Sequence, residues 1–460
     1  EKDRVVRFRY LARRVPSTEA AAAVAALAAA GYEGVDTRRD PLRLEETGRF
    51  SQIARAALEI RAESAEAIRQ RWPRTWRCAS AYPLNYLLPW TASRPPQWAG
   101  GAYPPLLPGR VNLAHLLAGS EGTLAVIQRL LLKLVPLPAE STLVVLAYPE
   151  LVAACEAVPG ILENGPSAVE LIPFSLVRLA RSLPAYAVQL GVLAPLFELG
   201  EALEDGRGAL LAIEFSGAPG EALASAKKFL ANGEISAANS LLLERPAEQR
   251  QVWAVRKVGL GILLSRAGDR KPWAFIEDLA VPVESLGEFV RAMEKIVAAY
   301  GTHSEIYAHA SAGCLHIRPL VDLKTVRGVA DLRGIAAEAV RLALRLGGSV
   351  SGEHGDGQAR SEWLEEMFGS ELVGAFRKLK LAADPLGLLN PGKIVSLDAS
   401  QPLPRMDSDL RFGPDYRAQP WQSQLSFANQ GGLAGAIEQC NGAGVCRKAE
   451  GVMCPSFQAS

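Results

Sequence analysis

The stretch Glu305-Ile-Tyr-Ala-His-Ala-Ser-Ala-Gly-Cys-Leu-His-Ile-Arg-Pro319 decides the fold of the surrounding chain. Its two halves, 305–309 and 314–319, are short runs of the kind that form β-strands. Gly313 lies between them and permits a tight turn, because glycine has no side chain to restrict its backbone. The sequence therefore predicts two strands joined by a turn, which would bring His309 and His316 together.

Strand-like runs and helical segments alternate on both sides of this pair. Runs typical of strands lie at 142–148, 168–172, 210–215 and 274–281. Helical periodicity covers 149–163, 221–231, 285–300, 326–346 and 362–382. This alternation predicts an α+β fold or a split βαβ unit, with helices on one face of the sheet.

The two ends of the chain differ from this middle region. The alanine-rich run 19–30 is expected to be a helix, and a second helix is expected at 52–72. Proline, tryptophan and glycine crowd 89–109, which indicates a long surface loop. Residues 396–435 show no period and are rich in Ser, Asp, Gln, Pro and Gly, so they are expected to form a linker.

Length and charge narrow the class of protein. A chain of 460 residues is expected to form two to four domains. Fifty basic and forty-nine acidic residues give a net charge of +1, which offers no electrostatic reason to expect nucleic acid as a partner. No apolar run approaches the length of a transmembrane helix. We expect a cytoplasmic protein, and leave open peripheral attachment to a membrane and a homo-oligomer.

The histidines are the strongest functional signal, because four of the five lie between 303 and 354. Neutral imidazoles and a carboxylate that converge on one point are typical ligands of a divalent cation, here Zn or Mn. His309, His316 and Glu353 are the predicted ligands, and such a metal would hold a substrate hydroxyl and lower its pKa. The alternative is a set of hydrogen-bonded structural histidines. The adjacent glycine-rich loop 351–357 favours function.

His354 is the predicted general base, because an imidazole can accept a proton near neutral pH. It would take a proton from the substrate hydroxyl while a hydride leaves the α-carbon. Glu277 and Asp278 precede an apolar run and are interpreted as charges at the edge of a strand. Asp356 is expected to shape its glycine loop through side-chain hydrogen bonds.

Four motifs in order make the sequence recognisable: Gly119-Ser-Glu-Gly-Thr123, His309 with His316, Ser351-Gly-Glu-His-Gly-Asp-Gly357 and Leu389-Asn-Pro-Gly-Lys393. Over residues 50–396 the chain resembles the FAD-linked oxidases of the D-lactate and D-2-hydroxyglutarate dehydrogenase type. The likeness is closest to the large bacterial proteins that fuse such a flavoenzyme to an iron–sulfur module.

The resemblance implies a fold and a domain order. Residues 1–140 would be a partial FAD-binding domain of the PCMH (vanillyl-alcohol oxidase) type. Residues 141–396 would be a ferredoxin-like FAD-linked oxidase C-terminal domain that carries the substrate and metal sites. A linker at 397–435 would then lead to the start of a ferredoxin-type iron–sulfur domain at 436–460.

The resemblance also implies an activity and its residues. An FAD-dependent dehydrogenase would oxidise a D-2-hydroxyacid, either D-2-hydroxyglutarate or D-lactate, and pass electrons through iron–sulfur centres to an acceptor that is left open. The expected FAD contacts are Gly119, Ser120, Glu121, Gly122, Thr123 and Asn390. Arg256 and Arg318 would bind the substrate carboxylate. For Arg256, a solvated helix arginine is an equally good interpretation, and Arg318 stands where relatives that use D-2-hydroxyglutarate tend to have Asn.

Two departures from the family keep other functions open. No glycine-dense loop precedes residue 100, although the family wraps the FAD pyrophosphate with one. Cys440, Cys446 and Cys454 could supply three ligands of a 4Fe-4S cluster, but Ala443 stands where a ferredoxin has a further cysteine. The rivals are a non-catalytic subunit that keeps the fold for assembly and a flavin-free metal-dependent hydrolase.

Overall fold

The computed structural model describes residues 29, 49–75, 77–88, 113–127, 137–182, 187–197, 208–232, 239–264, 268–398, 400–419 and 423–440. The predicted helix at 19–30 lies outside these residues except for position 29, and the predicted loop at 89–109 lies wholly outside them.

One antiparallel sheet of eight strands organises the described part of the chain. The strands are β1 Glu140–Tyr148, β2 Ala168–Pro173, β3 Ala209–Gly217, β4 Asn239–Leu243, β5 Lys271–Pro272, β6 Leu279–Ala280, β7 Ser304–His309 and β8 Cys314–Val321. Their order is β4-β1-β3-β2-β7-β8-β5, and β6 pairs with β8. All pairings are antiparallel, so the α+β class is confirmed.

The helices are α1 Arg49–Glu63, α2 Ala65–Arg71, α3 Leu113–Leu117, α4 Leu151–Leu162, α5 Phe174–Arg181, α6 Ala194–Phe197, α7 Glu221–Ala231, α8 Pro246–Leu264, α9 Leu286–Ala299, α10 Val326–Arg345, α11 Gly357–Arg360, α12 Leu364–Ala383 and α13 Gly432–Glu438. Strands β1 to β4, with α4 after β1 and α7 after β3, make the β-α-β-β-α-β arrangement of a ferredoxin-like unit. Among the described residues, no helix is long and apolar enough to cross a membrane.

Helices cover both faces of the sheet, so the prediction of helices on one face is wrong. Successive residues of a strand point to opposite faces, and β1 shows this directly. Val144 and Leu146 belong to the larger core, which includes α4, α9, α10 and α12, whereas Val145 belongs to a second core with α5 and α8. The sequence analysis identified neither α5 nor α8, and therefore left the second face without a cover.

The predicted strand at 274–281 is reduced to the two residues of β6. Asp278 interrupts it with a φ of 81°, a left-handed conformation that a strand cannot contain. The apolar pattern of this segment reflects burial rather than strand structure, since Phe275, Ile276 and Leu279 are all buried in the core.

The segment after residue 395 packs against the main core at two positions. Within the described residues it has no α-helix or strand before Gly432, and only a short 3-10 helix at Ala428–Gln430, which agrees with the absence of a period in its sequence. Met406 and Phe412 are nevertheless buried in the main core. Lys324 Nζ lies 2.7 Å from Glu438 Oε2, which ties the end of α13 to the loop after β8.

A buried lysine joins three distant parts of the chain. The Nζ of Lys380, on α12, donates hydrogen bonds to the carbonyl oxygens of Thr123 at 2.8 Å and Leu389 at 2.7 Å. It also pairs with Asp384, whose carboxylate accepts the N–H groups of Leu388 and Leu389. Lys380 and Asp384 are 2% and 0% exposed, so neither charge can be satisfied by water. The pair fixes the loops that follow α3 and α12.

We predict that Lys380→Met lowers the free energy of unfolding by about 3–5 kcal/mol, because it leaves the buried Asp384 carboxylate without its cation. Lys378→Met is the matched control on the same helix. Lys378 makes solvent-exposed ion pairs with Glu59 and Glu63, so its loss should cost at most about 1 kcal/mol. Denaturant midpoints measure both effects, and equal losses in the two variants would contradict the assigned role of Lys380.

Candidate functional site

The β7–β8 pair positions two histidines as its sequence predicts. Tyr307 pairs with His316 and His309 pairs with Cys314, so all four side chains lie on one face of the sheet. On its other edge β7 pairs with β2, where Glu170 stands directly opposite His309. Cross-strand register alone therefore places a carboxylate beside a candidate metal ligand.

A buried aspartate holds the loop that carries Glu353 and His354. Asp278 is fully buried, and its two carboxylate oxygens accept the N–H groups of Glu353 at 2.9 Å and His354 at 2.8 Å. Ser351 donates its hydroxyl to the same carboxylate. A Cβ on Gly352 would lie 2.8 Å from Cys314 Sγ, so this position requires glycine. The interpretation of Asp278 as an edge charge is wrong, because it organises the glycine loop.

Three histidines converge on Glu353. Its Oε1 lies 3.3 Å from His309 Nε2, 3.4 Å from His316 Nε2 and 3.3 Å from His354 Nε2. Arg77 donates to the other carboxylate oxygen. His309, His316 and Glu353 each offer one ligand atom, and these atoms lie within 4.8 Å of one another. Two imidazoles and one carboxylate at this spacing fit a divalent cation such as Zn²⁺ or Mn²⁺.

Hydrogen bonds between the histidines and the carboxylates of the cluster strongly shift the pKa values of these groups. Burial would lower the pKa of His309, but hydrogen bonds to Glu170 and Glu353 outweigh it and raise the pKa to about 9. Hydrogen bonds to Glu277 and Glu353 raise the pKa of His354 to about 10. The same bonds from the histidines hold the pKa of Glu353 far below its usual range. A cation bound here would displace these protons, because its ligands must be deprotonated.

Glu170 is a site residue that the sequence analysis missed. It is 9% exposed in the middle of β2, whose other residues are apolar. His309 Nδ1 lies 2.6 Å from its Oε1, and Arg256 Nε donates to its Oε2 at 2.9 Å. The available signal was one carboxylate inside an apolar strand, since charged residues are almost never buried without a partner.

Glu277 is a second such residue, and its interpretation as an edge charge is also wrong. Its Oε1 lies 3.5 Å from His354 Nδ1, and Arg318 donates to its Oε2. Burial opposes ionisation, but the bond from His354 and the charge of Arg318 lower the pKa of Glu277 to about 2. Glu277 thereby fixes the ring of the predicted base.

The two predicted substrate arginines both lie near the ring of Tyr307. Arg256 Cζ is 4.6 Å and Arg318 Cζ 5.8 Å from the centroid of Tyr307. Arg256 Nη2 and Arg318 Nη1 are buried and have no hydrogen-bond partner among the described residues. The side chain of Arg256 is only 14% exposed, so it is not a solvated helix arginine. Arg256 is held through Nε by Glu170, and Arg318 is held through Nε by the Tyr307 hydroxyl and through Nη2 by Glu277. Each guanidinium group keeps one buried donor for a further acceptor.

The predicted cofactor loops meet at Glu121. Its carboxylate accepts the N–H groups of Asp356 at 2.6 Å and Gly357 at 2.9 Å, and its carbonyl oxygen accepts Asn390 Nδ2 at 2.7 Å. Glu121 thus joins its own motif to two others that lie more than 200 residues later in the sequence.

The loop around Glu121 has a supporting side and an open side. Ser120 and Thr123 are buried, whereas Gly119, Gly122 and Asn390 are exposed. A Cβ added at either glycine would meet nothing within 4 Å. Exposed backbone of this kind can approach a bound cofactor closely, so these residues fit a flavin lying against them.

Of the predicted iron–sulfur ligands, Cys440 is exposed just after α13. Cys446 and Cys454 lie outside the described residues.

Residues 137–394 match the family model described as FAD linked oxidases, C-terminal domain. The D-2-hydroxyglutarate dehydrogenase of Pseudomonas putida is 30% identical over 427 residues, which are 90% of this chain and 39% of that protein. The D-lactate dehydrogenase of Archaeoglobus fulgidus is 30% identical over 286 residues, 62% of this chain and 58% of that protein. The chain therefore spans less than two thirds of the length of these relatives.

Among solved structures, 4-ethylphenol oxidase from Gulosibacter chungangensis is similar to 57% of this chain and 55% of its own, with 14% identity and a TM-score of 0.40.

Asp278→Ala removes the acceptor for the N–H groups of Glu353 and His354. We expect amide hydrogen exchange to accelerate in a peptide covering 350–357, because local opening no longer breaks these bonds. Glu284→Ala, at an exposed position before α9, is the control and should leave that peptide unchanged. Mass spectrometry reads out both, and unchanged protection in the Asp278 variant would show that the loop does not depend on this carboxylate.

Proposed function

This chain belongs to the family of FAD linked oxidases, and from that premise we propose that it oxidises a D-2-hydroxyacid to the 2-oxoacid with FAD as the hydride acceptor. The match to the family confirms the resemblance that the four motifs indicated. The observation that carries the proposal is the convergence of His309, His316, Glu353 and His354 on one point beside the open guanidinium of Arg256.

Arg256 would bind the substrate carboxylate. Its Nε is occupied by Glu170, and its Nη2 is the buried donor without a partner. A guanidinium that already has one end fixed loses little freedom when it binds an anion, and its planar geometry suits a carboxylate. The carboxylate of the substrate would therefore lie at the α8 side of the site.

His354 would accept the proton of the substrate hydroxyl. Glu277 faces its Nδ1, so Nε2 is the nitrogen that points into the histidine cluster. A divalent cation held by His309, His316 and Glu353 would polarise the hydroxyl and favour the neutral form of the neighbouring imidazole. FAD, when bound, would supply the acceptor for the hydride of the α-carbon, and His354 would accept the hydroxyl proton, which would leave the carbonyl of the 2-oxoacid.

The glycine loops on the other side of the site would support the flavin. Gly119 and Gly122 offer exposed backbone, and Asn390 lies exposed beside them with its amide held by Glu121. The described residues fit contacts to part of the cofactor. The wrapping of the FAD pyrophosphate is not assigned to them.

The two substrates that we rank first are D-2-hydroxyglutarate and D-lactate, because relatives with these activities are among the most similar proteins. Electrons would leave the flavin through a 4Fe-4S cluster that includes Cys440, Cys446 and Cys454 as ligands. The clustering of three cysteines within fifteen residues of a protein of this class supports that step.

The function is tested by anaerobic reduction of the flavin in protein that has been loaded with FAD and Mn²⁺. We expect D-2-hydroxyglutarate or D-lactate to bleach the flavin absorbance, and the L-enantiomers to leave it unchanged. Protein that binds FAD and metal but is reduced by no D-2-hydroxyacid would overturn the proposal.

Arg256→Met should raise the KM for the D-2-hydroxyacid by about 10- to 100-fold, which corresponds to the loss of a charged hydrogen bond of about 1.5–3 kcal/mol. The maximal rate of flavin reduction should change much less, since this contact is made by substrate and transition state alike. Arg250→Met, at an exposed position on the same helix, is the control. An unchanged KM for the Arg256 variant would assign carboxylate binding to another residue.

A further inference from the structure

Glu170 contacts both of the groups to which the proposed function assigns binding. One carboxylate oxygen accepts from His309, a candidate metal ligand, and the other accepts from Arg256, the candidate anion-binding group. Among the described residues, Glu170 is the one acidic residue that forms ion pairs with both His309 and Arg256. Two hydrogen bonds to one carboxylate therefore connect the candidate metal ligand His309 with the candidate anion-binding group Arg256.

The position of Glu170 excludes an incidental surface charge. Its side chain is 12% exposed and that of Arg256 is 14% exposed. A buried carboxylate costs several kcal/mol of desolvation unless charged partners satisfy it on both oxygens. The backbone pairing of Glu170 with His309 in the β2–β7 ladder fixes one contact, and the packing of α8 against the sheet fixes the other.

We propose that Glu170 is a positioning residue that couples metal binding at His309 to carboxylate binding at Arg256. The inference rests on the proposed function, because it names the residue that links two of its binding groups. By accepting the Nδ1 proton of His309, Glu170 leaves Nε2 directed at Glu353. By holding Arg256 Nε, it leaves Nη2 directed at an anion.

The coupling follows from the shared carboxylate. A metal on His309 would fix the imidazole and with it the rotamer of Glu170, so the guanidinium would already be ordered when the anion arrives. Binding at the second site then costs less ordering free energy, and linkage requires that each ligand raises the affinity for the other by the same factor.

Glu277 is a second carboxylate with which Glu170 can be compared. It also joins one histidine to one arginine, but its histidine is His354, which is outside the predicted metal set. Glu277 would therefore orient the base without a direct contact to a metal ligand. Two carboxylates with similar partners thus have separable effects on metal affinity.

Glu170→Gln is the variant that tests the coupling. A carboxylate accepts hydrogen bonds on both oxygens, whereas an amide has one acceptor and one donor. Glutamine can therefore satisfy His309 or Arg256, but its NH₂ group faces the donor of the other residue. Glu214→Gln, at a half-buried position of β3 in the same sheet, is the matched control.

The measurement is the Kd of Mn²⁺, from the EPR signal of free Mn²⁺, with and without glutarate. Glutarate has carboxylates but lacks the oxygen on carbon 2 that would itself reach a metal. In the unmodified protein and the Glu214 variant, we expect glutarate to tighten Mn²⁺ binding by about fivefold or more. In Glu170→Gln, we expect Mn²⁺ binding to weaken by about 10- to 100-fold and the effect of glutarate to disappear.

The outcomes separate this inference from the proposed function. Failure of the unmodified protein to bind Mn²⁺ or Zn²⁺ would count against the proposed metal site itself. Normal Mn²⁺ affinity in Glu170→Gln, or an effect of glutarate that survives the substitution, would overturn the coupling while leaving the function intact. If the Gln variant does not fold, Glu170→Asp replaces it, because the shorter side chain keeps the charge but cannot reach both partners.

Discussion

The site depends on a short pairing between β2 and β7. Only two residue pairs form it, Glu170 with His309 and Leu171 with Ala308. This ladder attaches the β7–β8 hairpin to the edge of the ferredoxin-like unit. Because a shift of one residue would turn every side chain of a strand to the other face, the register decides whether His309 meets Glu170 or the apolar core. Arg256 on α8 can share the carboxylate of Glu170 with His309 only in that register.

Charge compensation explains why so many ionisable side chains can lie close together. Each of three carboxylates pairs with one arginine and at least one histidine: Glu170 with Arg256 and His309, Glu277 with Arg318 and His354, Glu353 with Arg77 and all three histidines. The arginines stay protonated under all ordinary conditions and so place a fixed positive charge beside each carboxylate. The histidines can exchange protons. The arrangement therefore combines a fixed charge framework with groups that can lose protons to accommodate a cation.

Short sequence patterns predicted those parts of the site whose structure depends on neighbouring residues. The hairpin around Gly313 and the glycine loop at 351–357 were recognisable because turn residues and strand-like runs are short-range signals. Glu170 and Asp278 were not, because the groups that they hold in the site are far away in the sequence. His309 is 139 residues from Glu170, and Glu353 is 75 residues from Asp278. Helix α8 was missed as well. Its interior contains Gly259 and Gly261, each of which lowers helix propensity by about 1 kcal/mol relative to alanine.

Long-range hydrogen bonds also join the loop of the proposed base to the loop of the proposed flavin contacts. Asp356 and Gly357 lie two and three residues after His354, and their N–H groups donate to the carboxylate of Glu121. The N–H group of His354 itself donates to the carboxylate of Asp278. Hydride transfer requires the reacting atoms to approach to about 3–3.5 Å. The short chain from His354 to Gly357 and the hydrogen bonds from Asp356 and Gly357 to Glu121 therefore limit how far the proposed base can move from the proposed flavin loop. This restraint would help to keep the proton acceptor and the hydride acceptor at a fixed separation.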